Sequence, residues 1–276
     1  MFSEVVGHSF QLERIKKLVE EGKFPSSSIF SGPEGVGKKL VARLTLESLT
    51  GSSLNVRLIG EEKPPTIDNV REMISWLFVK PSSGKGKGVV IDRADEMRTE
   101  TANALLKTLE EPPSYAYIIL IAKNENSLLP TIRSRCRIFR FGKLSETNVE
   151  HVLRKLGIDF DKRVLKLCGG SVGNAMKLSE SIVPELVERI SKALSSNERE
   201  KHFVEISEEF KDISREDLEL FINALESYLQ SKDAYIKWME VLKNARKFLK
   251  FYGKPRSILE WMMLKTFGII GEGKVV

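Results

Sequence analysis

The sequence predicts an α/β core, a parallel sheet with helices on both faces, followed by a region that is helical to the end of the chain. Three observations carry this reading. Between residues 28 and 141, short β-rich runs alternate with segments of helical period, the pattern that builds a parallel sheet. A glycine-rich turn joins the first β-rich run to the helix after it. Beyond Gly142 the β-rich runs stop.

The elements follow in order. Candidate strands are residues 28–31, 56–59, 89–91, 116–121 and 137–141. Between the second and third, Thr66 and Asp68 can cap a helix whose Ile67, Val70, Ile74 and Leu77 fall on one face. A further helix spans 99–110 and is stopped by Pro112 and Pro113, which cannot continue it. The stretch 81–88, with Lys85 and Lys87 among glycines and serines, reads as a solvated basic loop. A small unit at 144–181 ends in Gly169-Gly170-Ser171-Val172-Gly173, with helix-compatible residues from Asn174. Another helical region begins near Pro184. Its apolar spacing at Leu218, Phe221, Ile222 and Leu225, then at Trp238, Leu242, Ala245 and Leu249, suits a bundle core. An apolar face turned to a neighbouring subunit would leave the same pattern. The implied domains are 1–143, 144–181 and 182–276.

Composition bounds the function. A chain of 276 residues with 41% hydrophobic and 30% charged content suits a soluble globular protein of about two domains. The longest apolar run, 115–122, falls far short of the roughly 20 residues needed to span a bilayer, and the start around Glu4 is acidic, unlike a signal peptide. A cytoplasmic protein with no membrane partner is expected. Cys136 and Cys168 are the only cysteines and form no C-x-x-C pair, so neither a disulfide framework nor a zinc cluster is offered; two buried or idle thiols are expected. A net charge of +6 and a pI of about 9.1 admit nucleic acid among the partners.

The strongest local signal is Gly32-Pro33-Glu34-Gly35-Val36-Gly37-Lys38-Lys39, set between a strand and a helix as a phosphate-binding loop requires. Glycines let backbone N–H groups converge on phosphate oxygens, the helix start adds its positive end, and Lys38 supplies a point charge. Gly32, Pro33, Gly35, Val36, Gly37 and Lys38 are therefore the candidate nucleotide cradle, with Asp92 at the end of the third strand as the acid that would orient a metal. Two positions depart from the pattern. Lys39 stands where a Ser or Thr hydroxyl should hold Mg²⁺, and a second ammonium there repels the metal. Arg93 stands where a general base should activate water; arginine accepts no proton at neutral pH, so base catalysis worth roughly 10²–10⁴ in rate is missing. No metal is expected in this site. Whether the loop binds ATP or ADP without turnover, or is an empty rigid turn, stays open at this point.

Three further runs complete a pattern: Asp92-Arg-Ala-Asp-Glu-Met, Asn103-Ala-Leu-Leu-Lys-Thr-Leu-Glu-Glu-Pro112, and Leu129-Pro-Thr-Ile-Arg-Ser-Arg-Cys136. Over about residues 1–181 the sequence resembles the AAA+ clamp-loader subunits of bacterial DNA polymerase III. The resemblance implies an AAA+ core, a helical lid at 144–181 and a helical collar at 182–276 that oligomerises with sister subunits. It implies that Arg135, the arginine of Ser-Arg-Cys, reaches the ATP site of an adjacent subunit, where such a finger contributes roughly 10³–10⁵ in rate. Arg133, Arg137 and Arg140 are read instead as a solvated or DNA-facing basic edge. Catalytic members carry a polar triplet after the fourth strand, where this sequence has Ala122-Lys123-Asn124. They also carry a sensor arginine where it has Gly173. With the magnesium ligand, base and sensor absent and the finger kept, the sequence looks most like the non-hydrolysing delta-prime type. The zinc module of many relatives is replaced by the short connection 50–65. Implied partners are gamma/tau-like and delta-like loader subunits, the sliding clamp and primer–template DNA, with no cofactor required. The alternative is a hydrolysing gamma-type subunit.

Overall fold

A computed structural model describes residues 1–229, 235–251 and 253–268. They form two compact units, Met1–Ser145 and Glu146–Val276. The first unit runs α1 (Ser9–Glu20), β1 (Ser27–Ser31), α2 (Lys38–Thr50), β2 (Val56–Ile59), α3 (Ile67–Phe78), β3 (Lys87–Ile91), α4 (Thr99–Glu110), β4 (Ala116–Ala122), α5 (Pro130–Arg133) and β5 (Arg137–Arg140). The five strands pair in the order β2-β3-β4-β1-β5, every pair parallel.

Successive side chains of a strand point to opposite faces, so a sheet covered on both sides needs strands that are apolar throughout. All five residues of β1 and of β3 are buried. Ile29, Val89, Ile91, Ile118 and Leu120 meet Val70, Met73 and Leu77 of α3 and Leu105 and Leu109 of α4 on one face. Phe30, Val90, Ile119, Ile121 and Phe139 meet Ile15 of α1 and Val41, Ala42 and Leu46 of α2 on the other. Thr66 caps α3 as its sequence suggests, exchanging hydrogen bonds with Asn69 in a capping box, while Asp68 lies in the first turn beside Arg71. Helix α4 keeps the bounds its proline stop implies. Helix α1 escaped the sequence reading.

One expectation is overturned. The solvated loop does not extend to Gly88, because Lys87 and Gly88 belong to β3 and Lys87 is buried. Its ammonium sits 4.4 Å from the centre of the Trp76 ring and donates to Trp76 O at 2.8 Å. Desolvation, followed by the nearby Arg57 guanidinium, lowers its pKa. The sequence looked like a loop because a lysine between two glycines carries no β signal; the partner that buries it is a helix 11 residues earlier.

The second unit contains α6 (Glu146–Lys155), α7 (Lys162–Leu167), α8 (Val172–Ser179), α9 (Val183–Leu194), α10 (Arg199–Glu209), α11 (Arg215–Leu229), α12 (Tyr235–Lys250) and α13 (Pro255–Phe267). Helices α6, α7 and α8 pack on one another; α11 packs on α12, on α9 and also on α7. Leu218, Phe221, Ile222, Leu225, Trp238, Leu242, Ala245 and Leu249 are all buried within the unit, so both apolar stripes serve an intramolecular core. The sequence reading carried the helical region to residue 276; residues 269–276 lie outside those described.

Candidate functional site

In a parallel sheet all strands end at the same side, so the segments leaving β1, β2, β3 and β4 converge. The phosphate loop leaves β1, Gly60 and Glu61 leave β2, Asp92 and Arg93 leave β3, and Lys123 leaves β4. Gly32, Pro33, Gly35, Val36, Gly37, Lys38 and Asp92 are thereby brought to one end of the sheet. The loop needs its glycines: Gly32, Gly35 and Gly37 have φ of 150°, 72° and 99°. At Gly32 a Cβ would also lie 2.1 Å from Phe141 O, where the end of β5 presses against the loop.

Lys38, the first residue of α2, is 5% exposed, and its Nζ donates to Gly32 O and Pro33 O, both at 2.5 Å. Burial brings its pKa down to about 8, against the opposing pull of Asp92, Glu34 and Asp95. His8 stands beside the loop, its Nε2 2.9 Å from Val36 O and its ring edge-on to Phe141 at 5.1 Å. No motif had singled out His8.

The metal position is filled by a side chain. Lys39 Nζ lies 3.1 Å from Glu61 Oε1 and 3.7 Å from Asp92 Oδ2, while Asp92 Oδ1 accepts the Arg93 N–H at 2.9 Å. Mg²⁺ requires near-octahedral oxygen ligands at about 2.0–2.1 Å. A lysine in place of the hydroxyl, pointed at the orienting carboxylate, does not fit that ion. Arg93 adopts φ 51°, a left-handed conformation uncommon outside glycine.

Lys123 ties the loop to the rest of the cleft. Its Nζ is 2.9 Å from Glu34 Oε2 and 3.0 Å from Glu96 Oε1, and its N–H donates to Asp95 Oδ2. Burial opposes the charge on Lys123, but hydrogen bonds to Glu34 and Glu96 outweigh it and raise the pKa. Below it, Glu125 accepts from the Ser31 hydroxyl and from Arg140 Nε at 2.6 Å, and these bonds hold its carboxyl at about 2.

Arg135 lies elsewhere. It precedes β5, as Glu110 at the end of α4 precedes β4, so both stand at the amino end of the sheet. Arg135 Nε donates to Glu110 Oε1 at 2.6 Å, Nη2 donates to the same oxygen, and Nη1 donates to Thr131 O at 2.7 Å. The five residues of β1, at about 3.3 Å each, set this end on the order of 15 Å from the phosphate loop. The sequence had suggested a basic edge for Arg133, Arg137 and Arg140. Arg137 and Arg140 are exposed, Arg140 also pairing with Glu125, while half-buried Arg133 donates from Nη1 to Asn126 Oδ1 at 2.7 Å. Cys136 and Cys168 are free thiols, as expected, and burial pushes Cys136 up to about 12.

Gly173 lies in the first turn of α8, in the second unit, where the Ser171 hydroxyl caps the helix by accepting from Asn174 N at 3.1 Å. Sequence reasoning gave no role to Glu34, Glu96 and Glu110, which lie inside the quoted runs, nor to Glu61 and Glu125, which lie in none. For Glu61 and Glu125 only their position just after a strand could have marked them.

Comparison with known proteins bears on the sequence and the fold. A family profile described as "DNA polymerase III, delta subunit" matches residues 50–145. The chain is 30% identical over 208 residues to the DNA polymerase III subunit gamma of Buchnera aphidicola subsp. Schizaphis graminum, covering 65% of this chain and 57% of that protein. It is 26% identical over 211 residues to the DNA polymerase III subunit tau of Escherichia coli strain K12, covering 66% of this chain and 33% of that protein. It thus spans less than two thirds of either relative. A solved DNA polymerase III gamma-subunit-related protein from Thermotoga maritima shares the fold, with a TM-score of 0.57 at 22% identity over 94% of this chain and 99% of that one.

Proposed function

We propose that this chain is a clamp-loader AAA+ protein, a non-hydrolysing loader subunit of DNA polymerase III that lends Arg135 to the ATP site of a neighbour; its similarity to DNA polymerase III subunits supports the reading. One observation carries the reading: Arg135 stands at the opposite end of the sheet from the chain's own phosphate loop, so it cannot serve that loop. A guanidinium offers planar donors to the equatorial oxygens of a transferring phosphoryl group and cannot lose its proton, which suits it to neutralise charge there. Within the chain's own cleft, Lys39 and Arg93 occupy the places of a metal ligand and a base. Nucleotide in this loop is held without turnover.

The remainder of the reading follows the family. Residues 144–181 act as a lid and 182–276 as a collar that assembles with gamma/tau-like and delta-like subunits in the cytoplasm. The assembly opens the sliding clamp and places it on primer–template DNA. Contacts with DNA are to phosphates, hence salt-sensitive and blind to sequence.

The test is ATP turnover by the isolated chain and by a reconstituted loader with and without Arg135→Ala. The expected result is no turnover alone and a fall of roughly 10³-fold or more at the adjacent site in the variant complex. Robust turnover by the isolated chain would favour a hydrolysing gamma-type subunit, and an unchanged neighbour rate would remove the finger.

A further inference from the structure

In the phosphate loop no carboxylate makes direct contact with Lys38. Lys38 is buried, yet its only protein partners are the carbonyls of Gly32 and Pro33, with no carboxylate within 4 Å among the described residues. Asp92, Glu34 and Asp95 act on this buried ammonium only from beyond ion-pair distance, so the carbonyls are its direct partners and no carboxylate touches it. The backbone N–H groups of Gly35, Val36, Gly37 and Lys38 likewise have no protein acceptor among the described residues. Left-handed Gly35 and Gly37 give the loop the conformation in which such groups form an anion-binding nest. The two observations are independent, one concerning a side chain and the other the main chain.

Beside this nest stands Lys39. Its partners Glu61 and Asp92 come from the ends of neighbouring strands β2 and β3, so sheet pairing delivers both carboxylates to the same ammonium. Gly60 lets the two segments close up, because a Cβ there would lie 2.4 Å from Asp92 O. The positive charge that a polyphosphate elsewhere draws from Mg²⁺ is here covalently attached to the chain and held in position by those carboxylates.

We propose that the loop binds the polyphosphate of a nucleoside di- or triphosphate without a divalent cation, Lys39 standing in for the metal. This rests on the reading of the loop as a nucleotide site without turnover, and it adds how the charge is balanced and why turnover is absent. A single ammonium neutralises bound phosphate but organises no water and polarises no bond as a metal does.

The experiment is calorimetric titration of ATP and ADP into the full-length chain, first in excess EDTA and then in excess MgCl₂. Wild-type dissociation constants should agree within about twofold between the two conditions, and Lys38→Ala should abolish binding in both. Lys39→Thr should bind at least about tenfold more tightly with Mg²⁺ than without, whereas Lys39→Arg should stay indifferent to the metal. Circular dichroism checks that each variant folds. If Lys39→Thr does not fold, wild type and Lys39→Arg still decide the matter. Wild-type binding that weakens tenfold or more in EDTA overturns the proposal and leaves the nucleotide reading intact. No binding in either condition overturns both. Neither result bears on Arg135, which is read in the neighbour's turnover.

Discussion

The two ends of the β-sheet are made from the same five strands and carry opposite chemistry. At the carboxyl end the lysines are held by the chain itself: Lys38 by loop carbonyls, Lys39 by Glu61 and Asp92, Lys123 by Glu34 and Glu96. At the amino end Arg135 is paired with Glu110 on the surface, the two side chains 30% and 46% exposed. An exposed ion pair is worth about 0–1 kcal/mol, so under the proposed function a neighbour's phosphate would displace Glu110 at little cost. On the function proposed above, the chain has lost one half of a shared catalytic apparatus and kept the other. In this parallel sheet the phosphate loop and Arg135 stand at opposite ends, so substitutions beside one leave the immediate contacts of the other in place.

The comparison can be broken most sharply at Arg135. Arg135→Ala in an assembled loader should cut ATP turnover at the adjacent site by roughly 10³–10⁵ while leaving nucleotide binding by this chain unchanged, as paired turnover and titration would show. A loss of both would mean that the two ends are coupled. Leu105, fully buried in α4 on the shared core, is the complementary probe. Leu105→Ala should cost about 2–5 kcal/mol in denaturant unfolding and weaken both ends together.

Smaller effects sharpen each end separately. Glu110→Gln should raise neighbour turnover by up to about fivefold, the worth of an exposed pair near 1 kcal/mol; a fall of the same size would make Glu110 a support for the finger instead of a restraint. At the carboxyl end, Glu125 titrates at about 2 in the folded chain and near the ordinary 4.5 when unfolded. Its contribution is therefore fully present above pH 4.5 and lost as pH falls toward 2, because the unfolded state takes up the proton first. Glu125→Gln should flatten the acid limb of a stability–pH curve in that window, by on the order of 1 kcal/mol after solvent screening. An acid limb identical to wild type would mean that the Ser31 and Arg140 contacts do not persist in solution.

Much of the first unit was legible from local pattern. The strands fall within a residue or two of their expected places because runs such as Ile118–Ile121 are apolar at every position, and Pro112 and Pro113 end α4 where they must. The exception, Lys87, is informative. A lysine flanked by glycines reads as solvent-facing unless a tryptophan is known to lie across from it, and Trp76 reaches it only through packing of α3 on the sheet. Helix α1 is not legible locally although Ile15 is fully buried, because Ile15 is its one buried residue and the apolar partners that bury it lie in later elements.

The sequence by itself determined the inventory of the site: three glycines and Lys38 in a loop between strand and helix, Lys39 where a hydroxyl belongs, Arg93 where a base belongs, and Arg135 in its triplet. Motif chemistry depends on residue type at short, fixed spacing, and such spacing survives in one dimension. Only the tertiary structure decided where the charges go. Glu61 is 22 residues from Lys39, Glu110 is 25 from Arg135, and Glu125 is 94 from Ser31. Each pair meets because parallel strands in register deliver successive chain segments to a common end, and that register is a property of the sheet as a whole.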